Sequence, residues 1–354
     1  MRIGVDARPL LEPKGGFRRH LESLLPRLYA AAPQAEWVLF LPRNLDLAAP
    51  FLPERGRIVV VPGSLQAWLR VPWEELLLPR ALASAGVDVL FSPYGAVPAR
   101  SPAPVVAMIH DLHFMDAPRA LPWGHRRYWN AVARRAPLAA RILTPSDSVR
   151  RDAVARLGIR PERVVVTPHG VAAPFGPSSA PEGTEPFILT FGPWIPRKNL
   201  DLLEAATRSL RDRAGRPVRL VVSGPVPNPA REGHVTAVGP ISDEALADLM
   251  RRAALSCVPS LHEGFGLPAL EAMACGSPLV VSAGGALPEV VGEAAVIVDS
   301  QDPLVWRATF ERLLADPAER VRLGRAGLER SRGFSWEEAA RLVCNTLTAA
   351  ASRS

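Results

Sequence analysis

Lysine is nearly missing from this chain. Of its 354 residues only Lys14 and Lys198 are lysines, so the rest of its 42 basic side chains are arginine. A lysine inside a motif is therefore not background composition. Cysteine is scarce as well: Cys257, Cys275 and Cys344 are odd in number and share no close spacing. That excludes a disulfide framework and a cysteine zinc site, and it points to a reducing cytoplasm. No uninterrupted run of eighteen apolar residues occurs, which excludes a transmembrane helix. The first residues, MRIGVDARPL, enter a strand without the apolar core of a signal peptide. Proline is plentiful at 37 residues, roughly twice the ~5% average. It falls at strand ends and helix starts, which excludes a low-complexity tract.

What is present is the balance of a soluble globular chain, 48% hydrophobic and 22% charged, at a length that favours two domains. The formal charge of +7 is uneven. Between Leu121 and Arg163 ten arginines stand against Asp147, Asp152 and Glu162, so that this segment holds the whole surplus.

Short β-branched runs alternate with amphipathic stretches from end to end. RIGVDA, WVLFLP, RIVVVP, VDVLFSP, PVVAMIHD, RILTPSD and RVVVTPHG fill the first half; PFILTFG, VRLVVSG, TAVGPI, LSCVPS, PLVVSAG and AAVIVD fill the second. Strands without inside–outside alternation belong to parallel sheets covered by helices on both faces. Helical periodicity lies between them, as over Leu200–Arg213, Asp243–Ala253 and Leu304–Leu314. The expectation is a doubly wound α/β chain of two Rossmann-like domains, 1–170 and 187–334, joined by a proline-rich linker at 171–186. Residues 335–354 form a last helix that begins at Ser335 with Glu338 three residues on, a capping box. No strand is left for it to precede, and a return to the first domain is one place for it. Two sheets facing each other would enclose a cleft, with ligands outside the carboxyl ends of the strands.

The segment VPSLHEGFGLPALEAMACG, Val258–Gly276, has a strand, a turn and then a helix opened by Pro268. Gly264 and Gly266 clear side chains from the turn, so that backbone N–H groups and the helix N-terminus can approach a phosphate. Glu263 and Glu271 stand eight residues apart and could both offer carboxylates to sugar hydroxyls. Read alone, the same pair fits a helix start with one solvated Glu and one placed favourably near the dipole. Arg197 and Lys198 follow another strand and turn, with Asn199 as a candidate cap. A helix start is normally the wrong end for cations, while two of them at a cleft suit a diphosphate.

The run E-G-F-G-L-P-A-L-E-A-M-A-C-G resembles the signature of the family 4 retaining glycosyltransferases, with its E-x7-E as Glu263 and Glu271. LPEVVGEAAVIVD with RGFSWEEAA, FGPWIPRKNL, VGPISDEALADLM and DARPLLEPKGGFRRHLESLL resemble other parts of the same family, so that the likeness covers nearly the whole chain. It implies a GT-B fold, two Rossmann-like domains facing across a cleft. It also implies a metal-independent hexosyltransferase of surface polysaccharide or glycolipid synthesis that uses a nucleotide-diphosphate sugar and a hydroxyl acceptor, with mannose as the first sugar to test. No cofactor beyond that donor is implied. By the resemblance Arg197 and Lys198 neutralise the leaving diphosphate. Glu263 meets the hexose, Glu271 the ribose, and the backbone of Gly264, Phe265, Gly266 and Leu267 the sugar and phosphate. Gly15 and Gly16 would bring amides to the donor phosphate, although the chain reads Gly-Gly-Phe-Arg where the family has a Gly-Ile-Gly-Arg type of run. His110, followed by Asp111, would touch the transferred sugar.

Other readings stand beside these. His110, His113 and Asp116, three residues apart, resemble a metal site without a fourth ligand. His169 lines the cleft or supports the hinge. The basic segment 121–143, with Trp123, Tyr128 and Trp129 among its arginines, suits a peripheral contact on a cytoplasmic membrane face ahead of nucleic acid. A nucleotide-sugar epimerase, a sugar phosphorylase, or an inactive membrane- or nucleic-acid-binding module on the same scaffold are the alternatives.

Overall fold

The computed structural model describes residues 1–12, 15–43, 52–63, 67–116, 122–178, 186–226 and 234–352. By its internal contacts the chain forms two units, Met1–Gly170 with Ser335–Ser354, and Val171–Phe334.

The first unit runs β1 (Arg2–Asp6), α1 (Gly16–Ala31), β2 (Glu36–Leu41), β3 (Gly56–Val60), α2 (Ala67–Pro72), α3 (Leu78–Ala85), β4 (Val89–Ser92), β5 (Val105–Met108), α4 (Trp123–Arg135), β6 (Arg141–Thr144), α5 (Asp147–Leu157) and β7 (Val164–Val166). The strands make one parallel sheet in the order β3-β2-β1-β4-β5-β6-β7. Ile3, Val5, Leu39, Leu90 and Val106 are fully buried, as strands covered on both faces require. Ser146 caps α5 by accepting the Val149 N–H at 3.2 Å, and Gly158 ends that helix at φ 66°.

The second unit runs β8 (Phe187–Phe191), α6 (Leu200–Thr207), β9 (Arg219–Ser223), β10 (Val235–Gly239), α7 (Asp243–Arg252), β11 (Leu255–Val258), α8 (Leu267–Ala274), β12 (Leu279–Ser282), α9 (Leu287–Val291), β13 (Val296–Val298), α10 (Pro303–Ala315) and α11 (Pro317–Ser331). Its parallel sheet has the order β10-β9-β8-β11-β12-β13. That is the doubly wound order 3-2-1-4-5-6, with the chain reversing direction between β8 and β11. The helix expected over Leu200–Arg213 stops at Thr207. The Thr207 hydroxyl donates back to the Leu203 carbonyl, Ser209 takes a positive φ of 63°, and Leu210 turns inward to accept from Val218 N–H.

The final helix, α12 (Trp336–Ala351), is part of the first unit and packs on α1. Gly170 permits its start: a Cβ there would lie 2.1 Å from the Trp336 amide nitrogen. The Ser335 hydroxyl accepts the Glu338 N–H at 3.1 Å. Only half of a capping box forms, because the Glu338 carboxylate pairs with Arg341. No helix among the described residues is long and apolar enough to cross a membrane.

Candidate active site

In the second unit the turns after β8 and β11 meet where the sheet order reverses, the position at which doubly wound sheets bind ligands. A single helical turn, Pro196–Lys198, follows β8. Lys198 folds under Gly192, whose φ is 95° and whose missing Cβ would sit 3.0 Å from the lysine Cε. After β11, the Leu261 N–H donates to the Arg197 carbonyl and fastens the two turns together.

Glu263 joins them electrostatically. Lys198 Nζ donates to its Oε1 at 2.7 Å, Arg197 to its Oε2 at 3.1 Å, and the Ser260 hydroxyl to Oε1 at 2.7 Å. Glu263 and Lys198 are buried, and Arg197 partly so. Burial alone would raise the Glu263 carboxyl. The charges of Lys198 and Arg197, with hydrogen bonds from Lys198 and Ser260, overcome it and hold the group at about 2. Glu263 is therefore an ionised acceptor at neutral pH and cannot serve as a proton donor. The three side chains carry one net positive charge: loss of Lys198 would leave Glu263 paired with the partly exposed Arg197 alone, and loss of Glu263 would leave two adjacent cations without a counter-charge.

The loop bearing Glu263 is pinned from β12. Gly284 and Gly285 approach so closely that a Cβ on either would lie 2.3 Å from the carbonyl oxygen of Ser260 or Glu263. Ser282 donates to the Ser260 carbonyl, and Ala286 N–H to that of Glu263 at 2.8 Å. Gly264, Phe265 and Gly266 are buried. Gly266 needs to be glycine: its φ is 94°, and a Cβ would strike Leu287 at 2.7 Å. Leu267 begins α8, and Glu271, 3% exposed, lies in its second turn. The alternative of a solvated Glu263 at a plain helix start does not match this burial. Asn199, expected to cap α6, instead donates its side chain to the Pro259 carbonyl and to Gln301, because its own φ is 55°.

The remaining expected site residues lie in the first unit. Gly15 precedes α1 with extended backbone, and Gly16 is already its first helical residue, not part of a loop before it. Both are exposed, and a Cβ on Gly16 would meet open space, so neither position is glycine for conformational reasons. Phe17 stacks on Tyr94 with ring centroids 4.9 Å apart and meets His110 edge-on at 4.9 Å. His110 follows β5 and places Nε2 3.0 Å from the Pro93 carbonyl. Burial lowers its pKa to about 4, against the opposing pull of that hydrogen bond and of Asp111. Its ring neighbours are His20 at 4.8 Å and His169 at 5.6 Å. His110, His113 and Asp116 are not gathered as a metal-ligand group among the described residues, and both Asp116 oxygens accept from Arg156 at 2.7 and 3.0 Å.

The basic segment also differs from its expected form. Tyr128 turns inward and donates to buried Glu74 at 2.7 Å, and Trp129 packs near Phe17 and Phe114. Arg135 pairs with Glu75 and Arg156 with Asp116. Only Trp123 of the three aromatics stands out, 64% exposed, with Arg127 over its ring. Leu121 lies outside the described residues.

Residues 176–330 match the family described as glycosyl transferases group 1, and residues 14–173 match glycosyltransferase family 4. The chain belongs to the family 4 (group 1) glycosyltransferases. It is an enzyme of that family with the GT-B fold. Among its relatives is O-antigen chain mannosyltransferase B of Escherichia coli, 29% identical over an aligned length of 380 that spans 98% of each chain. Another is the MMP alpha-(1->4)-mannosyltransferase of Mycolicibacterium hassiacum, 33% identical across 67% of this chain and 63% of that protein. Sucrose-phosphate synthase from Thermosynechococcus elongatus shares the fold, with a TM-score of 0.78 and 22% identity over the full length of both chains.

Ser260, the Gly284–Gly285 pair and His20 did not stand out in the sequence. A serine three residues before Glu263 and a glycine pair directly after a strand were the available signals. For His20 there was none, because it lies inside an ordinary helical pattern.

Proposed function

We propose that this glycosyltransferase moves a hexose, mannose first among the candidates, from a nucleotide-diphosphate sugar to a hydroxyl acceptor, with retention at the anomeric carbon and without a metal ion in the transfer step. The observation that carries the reading is the contact of Glu263 with Arg197 and Lys198 at the reversal of the second sheet. The two cations would take the donor's diphosphate, supplying electrostatically what a divalent ion supplies elsewhere. Glu263, ionised at neutral pH, would accept hydrogen bonds from hexose hydroxyls, and Glu271 from the ribose. The buried turn Gly264–Leu267 would present backbone to sugar and phosphate.

In the proposed step the bond from the anomeric carbon to the diphosphate oxygen breaks, and the acceptor oxygen bonds to that carbon on the same face. The acceptor's proton passes to the departing phosphate. In this reading Glu263 stays a hydrogen-bond acceptor throughout, and no bond forms from it to the anomeric carbon. Gly15 and Gly16 would leave room for the donor phosphate. His110 would act on the acceptor side by setting the ring of Phe17. Mannose and polysaccharide assembly are favoured because relatives carry mannosyltransferase and O-antigen names. A membrane-borne acceptor would engage the first unit at Trp123 and Arg127.

Calorimetry of a sugar-nucleotide panel in EDTA, on the native chain and on Lys198→Ala, tests the reading. One donor should bind selectively and lose about a hundredfold or more in affinity in the variant. Binding of none of the panel would reject it, and conversion of the donor to an epimer without acceptor would favour the epimerase.

A further inference from the structure

We propose that His20, His110 and His169 form a site for a single zinc-type transition-metal ion in the first unit, apart from Arg197, Lys198 and Glu263 of the second. The three residues come from distant parts of the chain: α1, the end of β5 and the segment after β7. One ring nitrogen from each lies within 4.8 Å of the other two. Ligands about 2.0–2.1 Å from a tetrahedral zinc ion stand roughly 3.4 Å apart, so small rotations of the rings would close the set.

His20 is the residue that asks for a ligand. It is 2% exposed, and neither of its ring nitrogens has a hydrogen-bond partner among the described residues. A buried polar atom left in that state is destabilising, and most such atoms in native proteins are satisfied. His110 has the outer contact typical of a metal-bound imidazole. Its Nε2–H donates to the Pro93 carbonyl at 3.0 Å, which fixes the tautomer and leaves the Nδ1 lone pair for an ion.

Aromatic rings flank the cluster. Trp336 at the start of α12 stacks on His169 at 5.3 Å and meets His20 at 5.5 Å. Phe17 covers His110 from another side, and the Asp111 carboxylate is close enough to act on the His110 charge. Three imidazoles select zinc, cobalt, nickel or copper over magnesium and calcium, which prefer oxygen ligands. Such an ion would tie α1 to the carboxyl edge of the sheet under the start of α12. That is a structural task.

The test uses the full chain without a histidine tag, stripped with EDTA and then dialysed against Zn²⁺ or Co²⁺. About one ion per chain should be retained, and Co²⁺ should give the intense visible bands of a tetrahedral nitrogen site. His20→Phe should lose both the ion and the bands, and Zn²⁺ should raise the thermal midpoint of the native chain but not of the variant. The Co²⁺ spectrum of the native chain decides the matter even if the variant fails to fold. No retained ion, octahedral bands only, or an ion kept by a folded His20→Phe would each overturn the proposal. Donor binding measured in EDTA does not bear on it, so the two readings fail separately.

Discussion

Both sheets collect titratable side chains at their carboxyl edges, yet the two collections are opposites. In the second unit the group is fully charged, with Glu263 held between Lys198 and Arg197. In the first it is neutral, with His20, His110 and His169 kept uncharged by burial. A buried carboxylate survives because two cations face it, whereas a buried imidazole survives by shedding its proton. One arrangement suits a polyanionic ligand, the other a metal cation or none. Burial has opposite consequences depending on what is buried beside it.

The contrast breaks most severely at Lys198. Lys198→Ala should lower turnover about a thousandfold or more and cost about 1–3 kcal/mol in denaturant unfolding, because buried Glu263 keeps Arg197 and Ser260 but loses its nearest cation. Adding Glu263→Gln to that variant should recover stability without recovering turnover. Glu263→Gln alone should reduce kcat by about a hundred- to a thousandfold, with intact mass spectrometry finding no glycosyl-enzyme. A trapped covalent adduct would contradict the proposed retention by the leaving phosphate.

Backbone changes sharpen the comparison at smaller magnitude. Gly285→Ala puts a Cβ 2.3 Å from the Glu263 carbonyl at a φ of 64°, and should cost about 1–3 kcal/mol while weakening donor binding. Gly16→Ala, with open space around it, should stay within about 0.5 kcal/mol in stability.

Acid should separate the two units as well. The unfolded chain protonates its histidines near 6.5, while folded His110 resists until about 4. The unfolded state thus binds more protons across that window, and the first unit loses stability as pH falls through it. The Glu263 contribution is intact above the ordinary carboxyl range and fades only toward about 2. Hydrogen exchange should find α1 and β5 losing protection at a milder pH than β8 and β11.

Much of this was legible in the sequence. Unalternating β-branched runs mark parallel strands directly, because a strand covered on both faces has no polar side to show. The Val258–Gly276 run announced its strand, turn and helix through Gly266 and Pro268, which have few other uses. The direct contact of Glu263 with Lys198 was not legible, since it spans 65 residues and depends on the order of β8 and β11. Nor was the histidine cluster, whose members lie on three elements with no common spacing. The end of α6 was missed because Leu210 and Arg213 continue the helical period, while Ser209 turns the chain at a positive φ.

The central claim is that Lys198 and Arg197 hold Glu263 ionised, as the proposed hydrogen-bond partner of the donor's sugar requires. Carbon-13 NMR of glutamate-labelled protein, with Glu263 assigned through Glu263→Gln, measures this directly. The account predicts a carboxyl that stays ionised down to about pH 2 and moves to a higher pKa in Lys198→Ala. Titration in the ordinary range near 4.3, unchanged by removing Lys198, would contradict it.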